Sequence, residues 1–247
     1  MKSVVLQPMY LPWMGYFGLI DQADVFVFYD DVQFNRDSWQ QRNRIKVPEE
    51  SGGIKWLKVP IVENFGQEIK SVQIDQEYDW EQQHLSIIKS AYGPKPVPYG
   101  STKAPYFDDY ITTLENIYGQ KWESLRDLNI YLIKEIAELL SVTEVEFRLS
   151  SEFNIEDSGT SKLIKTLKYI DADEYISGPG AKEYLDINQF TENGISLYWH
   201  QFDHPEYDQL YGEFKSHLSI IDALFNVGEK TTPLIRAGEE NALVKEV

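Results

Sequence analysis

Two carboxylates, Asp30 and Asp31, stand side by side directly after the apolar run 25–29 (VFVFY). Adjacent carboxylates repel each other unless a cation lies close, so this pair needs an arginine, a lysine or a metal ion beside it. In an extended chain neighbouring side chains point to opposite faces, so at most one of the two enters a given site. Either could act in catalysis, hold Mg²⁺ or bind an amine. Just beyond them come Gln33, Trp39, Arg42, Asn43, Arg44 and Lys46. Arg42 and Arg44 are two apart and share a face when the chain is extended. Two guanidinium forks on one face suit a phosphate or a carboxylate. The plainer alternative is that these arginines only neutralise Asp30, Asp31 and Asp37.

Other stretches could contribute. Residues 7–17 read QPMYLPWMGYF. Gln7 is polar at the carboxyl end of an expected buried strand, where ligand-binding groups belong. Two prolines stiffen the turn after it, and Tyr10 and Trp13 offer rings for stacking on a base or a sugar. The same rings would serve equally as packing for a rigid turn. Ser150 and Ser151 follow another expected strand. Gly178 and Gly180 belong to a Gly-Pro-Gly loop before Tyr184. Such a loop can expose backbone N–H groups to phosphate, but it has neither Walker A nor GxGxxG spacing, and a plain turn reads as well. Among the four histidines no metal-ligand spacing occurs, so a histidine metal site is not expected. His204, in FDHPEY, is the general-base candidate by position. No GxSxG elbow accompanies Ser150, so no nucleophilic triad is expected.

Composition narrows the classes. The chain has 247 residues and no cysteine, which rules out disulfides, thiolate catalysis and cysteine-ligated metals. Its formal net charge of −17 opposes general nucleic-acid binding and adsorption to anionic membranes. Within 33–58, however, six basic residues face three acidic ones. That island, inside so acidic a chain, is either a solvated strand edge or a pocket for an anionic ligand. No leader-like or membrane-length apolar run is present, so the cytoplasm is the expected location and no transmembrane segment is expected.

The elements that must position these groups are readable from periodicity. Strands are expected at 3–7, 25–29, 54–62, 71–75, 145–149, 174–177 and 196–202. Helices are expected at 11–22, with Pro12 in the first turn, and at 79–91, 107–118, 122–140, 160–170, 181–193 and 211–225. Residues 93–105 hold four prolines and read as a loop. Strands alternating with helices imply an α/β fold with an open, mainly parallel, Rossmann-like sheet flanked by helices, and a helical insertion at about 79–140 within one domain spanning 1–247. In such a sheet the loops 7–15, 30–46, 150–160 and 177–184 gather at the carboxyl ends of the strands.

The segments QPMYLPWMGYFGLIDQADVFVFYDDVQF, WQQRNRIK, WLKVP, APYF, SSEF, YISGPGAKEYLD, FDHPEYDQ and LSIIDALFNVG together resemble the WbqC-like protein family over nearly the whole chain. Leu6 stands where many members carry Met or His. The resemblance implies a role in bacterial surface-polysaccharide (O-antigen) biosynthesis, as a glycyl or other aminoacyl (N-acyl) transferase acting on an amino sugar. The layout also resembles HUP-type nucleotidyl-transfer enzymes, an analogy at the level of fold. The alternatives are a nucleotidyltransferase forming a nucleotide sugar, and a non-catalytic binding protein of an assembly complex. The expected partners are small molecules: an amino sugar or nucleotide sugar and an amino acid. The cofactor is open, ATP with Mg²⁺ being one option.

Overall fold

The structure is a computed structural model and describes residues 1–95 and 103–246. Most of the 93–105 loop, and the long link between 93 and 103, lie outside the described residues.

β1 (Lys2–Leu6) and β2 (Val25–Phe28) are apolar and buried along nearly their whole length. Strands buried on both faces belong at the centre of a parallel sheet. They pair in parallel, Ser3 opposite Val25 through Leu6 opposite Phe28. β5 (Glu146–Leu149) adds to β2, and β6 (Glu174–Ser177) adds to the other side of β1. β7 (Ser196–His200) follows in parallel, and β8 (Leu243–Lys245) closes the edge antiparallel. The order is β5-β2-β1-β6-β7-β8. The chain runs outward one way through β1, β2 and β5, then returns to start the other way at β6. The reversal lies between β1 and β6, which is the topological switch point of an open α/β sheet.

Alternate residues of the central strands supply two cores. Val4, Phe26 and Phe28 pack with α1 (Met14–Gln22), α2 (Trp80–Tyr92), α3 (Phe107–Tyr118), α4 (Leu125–Leu139) and α7 (Ile220–Val227). Val5 and Val27 pack on the other face with Leu163, Ile164 and Leu167 of α5 (Gly159–Tyr169) and Phe190 of α6 (Ile187–Glu192). α4 shows how local sequence sets these elements. Ser124 caps it by accepting from the Asp127 N–H at 3.2 Å, and Leu125, Leu128, Leu132 and Ile136 form its buried stripe. α1 lies against α8 (Thr231–Gly238). A Cβ at Gly18 would strike the carboxylate of Glu239, which pairs with the buried His200 at 2.7 Å.

The open, mainly parallel sheet flanked by helices agrees with the sequence reading, with local differences. The helix expected from residue 11 begins at Met14: Leu11 sits at a φ of 43°, and Trp13 is extended and bridged to Ser219. The strand expected at 71–75 is a single 3-10 turn at Ile69–Ser71 followed by isolated bridges, Gln73 to Ser124 and Ile74 to Ile61. β3 (Arg42–Lys46) and β4 (Ile54–Lys58) form a separate antiparallel hairpin outside the main sheet. The helix expected at 211–225 is confined to α7. Tyr211 at φ 65° and His217 at φ 56° break the helical path, because 201–218 is held by side chains from elsewhere. The helix expected at 181–193 divides into a 3-10 segment at Pro179–Glu183 and α6.

Candidate functional site

Because β5, β2, β1 and β6 are adjacent and parallel, Ser150, Tyr29, Gln7 and Gly178 leave the sheet at the same end. Here the carboxylate pair finds its cations. Asp30 is fully buried and accepts from the Ser151 N–H at 3.0 Å, Ser151 Oγ at 2.8 Å and Arg126 Nη1 at 3.2 Å. The Asp30 N–H donates to Ser150 Oγ at 3.1 Å. Asp31 meets Lys162 Nζ at 2.8 Å, and its backbone carbonyl accepts from the same ammonium at 2.9 Å. Arg126 belongs to α4 and Lys162 to α5, on opposite faces of the sheet. The strand ends at Phe28, so the two carboxylates do not alternate across it: both reach the Ser150 hydroxyl, Asp30 at 3.1 Å and Asp31 at 2.5 Å, while each has its own cation. Burying a charge is tolerated when it is paired and hydrogen-bonded in this way. The network ties the end of β2 to the end of β5 and to both helical layers.

From Gln7 the polar end of the sheet continues toward the hairpin. Gln7 Oε1 accepts from Gln40 Nε2 at 2.7 Å, and the Tyr10 N–H donates to the Trp39 carbonyl at 2.9 Å. Asn43 is buried and donates from Nδ2 to the Leu11 carbonyl at 2.7 Å, holding the turn that precedes α1. Tyr10 is fully buried and its hydroxyl lies 2.7 Å from His84 Nδ1, with Tyr118 as a second partner. It packs the turn and has no face for a ligand. Lys46 likewise turns inward. Its ammonium donates to the carbonyls of Gly212 at 3.2 Å and Glu213 at 2.6 Å, and burial lowers its pKa from the usual lysine value.

What remains accessible is an aromatic and basic arc. Trp13 stacks on His217, ring centroids 4.8 Å apart, and on His204 at 6.0 Å. Phe202 meets the indole edge-on at 5.3 Å. The two imidazoles are 5.2 Å apart. His204 Nδ1 lies 3.0 Å from the Pro205 carbonyl, which only accepts, so the proton sits on Nδ1 and Nε2 is the basic nitrogen. Burial holds the His204 pKa below its usual value; the Pro205 contact opposes this and His217 adds to it. His217 is also lowered, by burial first and then by Arg44. Both rings are thus neutral bases near pH 7. Arg44 donates from Nε to the His217 carbonyl at 3.3 Å and lies 5.8 Å from the centre of the Trp39 ring. The arc therefore runs from Trp39 through Arg44 to His217, Trp13 and His204.

The remaining sequence-predicted residues sit elsewhere. Gln33 is exposed and its backbone bridges Glu68. Gly178 and Gly180 lie on the loop after β6, and Tyr184 is exposed beyond them. Arg126, Lys162, Gln40, Trp56 and His217 escaped the sequence reading. Each acts through partners distant in the chain; Gln40 in WQQRNRIK, Trp56 in WLKVP and His217 just before LSIIDALFNVG lay in or beside motifs that could have drawn notice. A cleft of about 930 Å³ between Val47, Glu50, Lys55, Lys95 and Tyr211 contains none of the predicted residues. No group of three or more potential ligands able to hold a metal occurs among the described residues. No helix among them is long and apolar enough to cross a membrane.

An open, mainly parallel α/β sheet flanked by helices, with a polar and aromatic arc at the carboxyl ends of its strands, defines the class of fold. Within that class the chain belongs to the WbqC-like protein family, whose model matches residues 7–233. It is 33% identical over 239 residues to an uncharacterized protein of Mycobacterium tuberculosis, an alignment covering 95% of this chain and 97% of that protein. No solved structure matches the chain.

Proposed function

We propose that the protein transfers an aminoacyl group, glycyl in the simplest case, to the amine of an amino sugar used in surface-polysaccharide synthesis. The observation that carries this reading is the His204 and His217 pair, kept neutral and stacked on Trp13 at the carboxyl edge of the sheet. An amine attacks an acyl carbon only when unprotonated. His204 Nε2 is a base suited to take its proton as the C–N bond forms and the C–O bond to the donor's leaving group breaks. Trp13 supplies a flat face for the sugar ring, while Arg42 and Arg44 offer charge for the anionic part of the substrate. Gln7 and Gln40 shape the floor, and Asp30, Asp31, Ser150 and Ser151 position the strand ends. The resemblance to the family supplies the polysaccharide context.

Mg²⁺ held by the Asp pair, as nucleotidyl transfer would need, fits the residues poorly. The ion would have to displace Arg126 from Asp30 and Lys162 from Asp31. The donor is an activated acyl group, either an aminoacyl ester or one made from a free amino acid and ATP. Product mass tests the proposal directly: amino-sugar substrates are incubated with glycine and ATP, or with glycyl-tRNA. A mass gain of one glycyl residue on the amino sugar is expected. No gain with either donor over a panel of amino sugars rejects it.

A further inference from the structure

The outer face of the β3–β4 hairpin carries Arg42, Arg44 and Trp56, and Trp39, in the turn just before β3, lies against it. Trp39 and Trp56 are 42% and 41% exposed, large values for indoles with no obvious packing role. Their ring centroids are 5.5 Å apart at 35°, a tilted pair in contact with each other. Arg42 lies 4.6 Å from the centre of the Trp56 ring, and Arg44 flanks Trp39. Hairpin register produces the arrangement, with Arg44 opposite Trp56 and Arg42 opposite Lys58. Lys58 takes Asp37 at 2.7 Å and leaves Arg42 at 3.7 Å from that carboxylate, beyond hydrogen-bond reach. The Arg42 fork therefore retains donors for an anion.

We infer that this Trp39, Trp56, Arg42 and Arg44 cluster is the subsite for a nucleoside diphosphate, the carrier to which the acceptor sugar is joined. The inference rests on the amino-sugar reading above and names the substrate class for the same site. A base has a π-face for the indoles, and stacking of this kind tolerates any base. The diphosphate supplies the charge that the two guanidinium groups match. A lipid diphosphate offers the indoles no base, and neither does a free sugar phosphate. Position agrees as well, because Arg44 donates to the carbonyl of His217, whose ring lies beside His204. The cluster and the proposed base are thus neighbours along the arc, linked through Arg44 and His217. The net charge of −17 disfavours a nucleic-acid strand as the occupant of the same stack.

The test is calorimetric titration of the full chain with UDP, dTDP, ADP, GDP, inorganic pyrophosphate and a short single-stranded oligonucleotide. At least one nucleoside diphosphate should bind about tenfold more tightly than pyrophosphate, the margin expected from base stacking. Trp56→Ala should erase that margin and leave pyrophosphate binding unchanged. Arg42→Ala should weaken both, with melting temperatures close to that of the wild type because both side chains face solvent. No margin over pyrophosphate, a margin that survives Trp56→Ala, or tighter binding of the oligonucleotide overturns the inference. No acyl donor is present, so the two readings fail separately. A Trp56-dependent margin with no transfer product rejects the transferase alone, and transfer to an amino sugar without such a margin rejects the subsite alone.

Discussion

The half-buried His204 and the buried His84 show how position sets chemistry at the scale of a residue. His204 can act as a base only while neutral, and its lowered pKa extends that range to acid of the usual value. The transfer rate is therefore expected to hold through neutral pH and to fall only as pH drops through the lowered pKa. His204→Asn should reduce kcat by about 10²- to 10⁴-fold with little change in KM and remove the acid limb of the pH–rate profile. An unchanged profile would exclude His204 as the base. His84 tests the opposite role, because it is buried against Tyr10 and burial pushes its pKa down to about 4. The unfolded chain, with a histidine pKa of about 6.5, binds this proton first. Stability is thus fully present above about pH 6.5 and is lost as pH falls toward 4, by on the order of 3 kcal/mol. Denaturant unfolding at pH 7 and pH 4 should show this loss, and His84→Gln, which does not titrate, should show less of it.

Segment 201–218 poses the question at the scale of an element, because it carries His204 and His217 without regular structure. Its order comes from α7 and the hairpin. Asp222 on α7 is fully buried and accepts from Tyr92 Oη at 2.6 Å, Tyr207 Oη at 2.8 Å and Gln209 Nε2 at 2.9 Å. Asn226 accepts from the Leu210 N–H at 3.1 Å, and Lys46 and Arg44 hold carbonyls of 212–217. Asp222→Ala would leave three donors without their acceptor and the Lys46 charge without its neighbour. It should cost about 3–5 kcal/mol by denaturant titration and should also abolish transfer. A loss below about 1 kcal/mol would mean that the segment is ordered by other contacts.

The arrangement of cores sets the behaviour of the whole molecule. Phe26 and Phe28 of the sheet share one continuous core with Leu128 and Leu132 of α4 and with Ile45 and Leu57 of the hairpin. Nearly all the buried apolar residues of the helical segment at about 79–140 belong, among the described residues, to that same cluster, and we propose that the segment is a layer of one domain. Calorimetry should show a single unfolding transition, and a chain lacking 79–140 should fail to fold because Phe26 and Phe28 lose their cover. Two resolved transitions would instead define the segment as an independent unit.

Periodicity and apolar runs in the sequence determined the parallel sheet, most helix positions and the gathering of Gln7, Asp30, Ser150 and Gly178 at one edge. These follow from local rules, since a buried strand needs apolar residues on both faces and parallel strands share a carboxyl end. The expected alternation of Asp30 and Asp31 was not met, because the strand ends at Phe28 and both carboxylates turn to the Ser150 hydroxyl. Their partners were not legible either: Arg126 and Lys162 lie about a hundred residues further along, and only packing brings α4 and α5 to them. Trp56 reads as one residue of a strand until hairpin register sets it opposite Arg44. Tyr10 and Lys46, attractive as ligand groups by type, were turned inward by the tertiary structure, while His217 was brought onto Trp13 by a segment with no regular periodicity. A side chain's type is encoded locally, but whether it faces solvent, a counter-ion or a ring depends on contacts distant in the chain. Packing gave Asp30 and Asp31 their partners Arg126 and Lys162, and it assembled the arc from Trp39 to His204 on which the proposed chemistry rests.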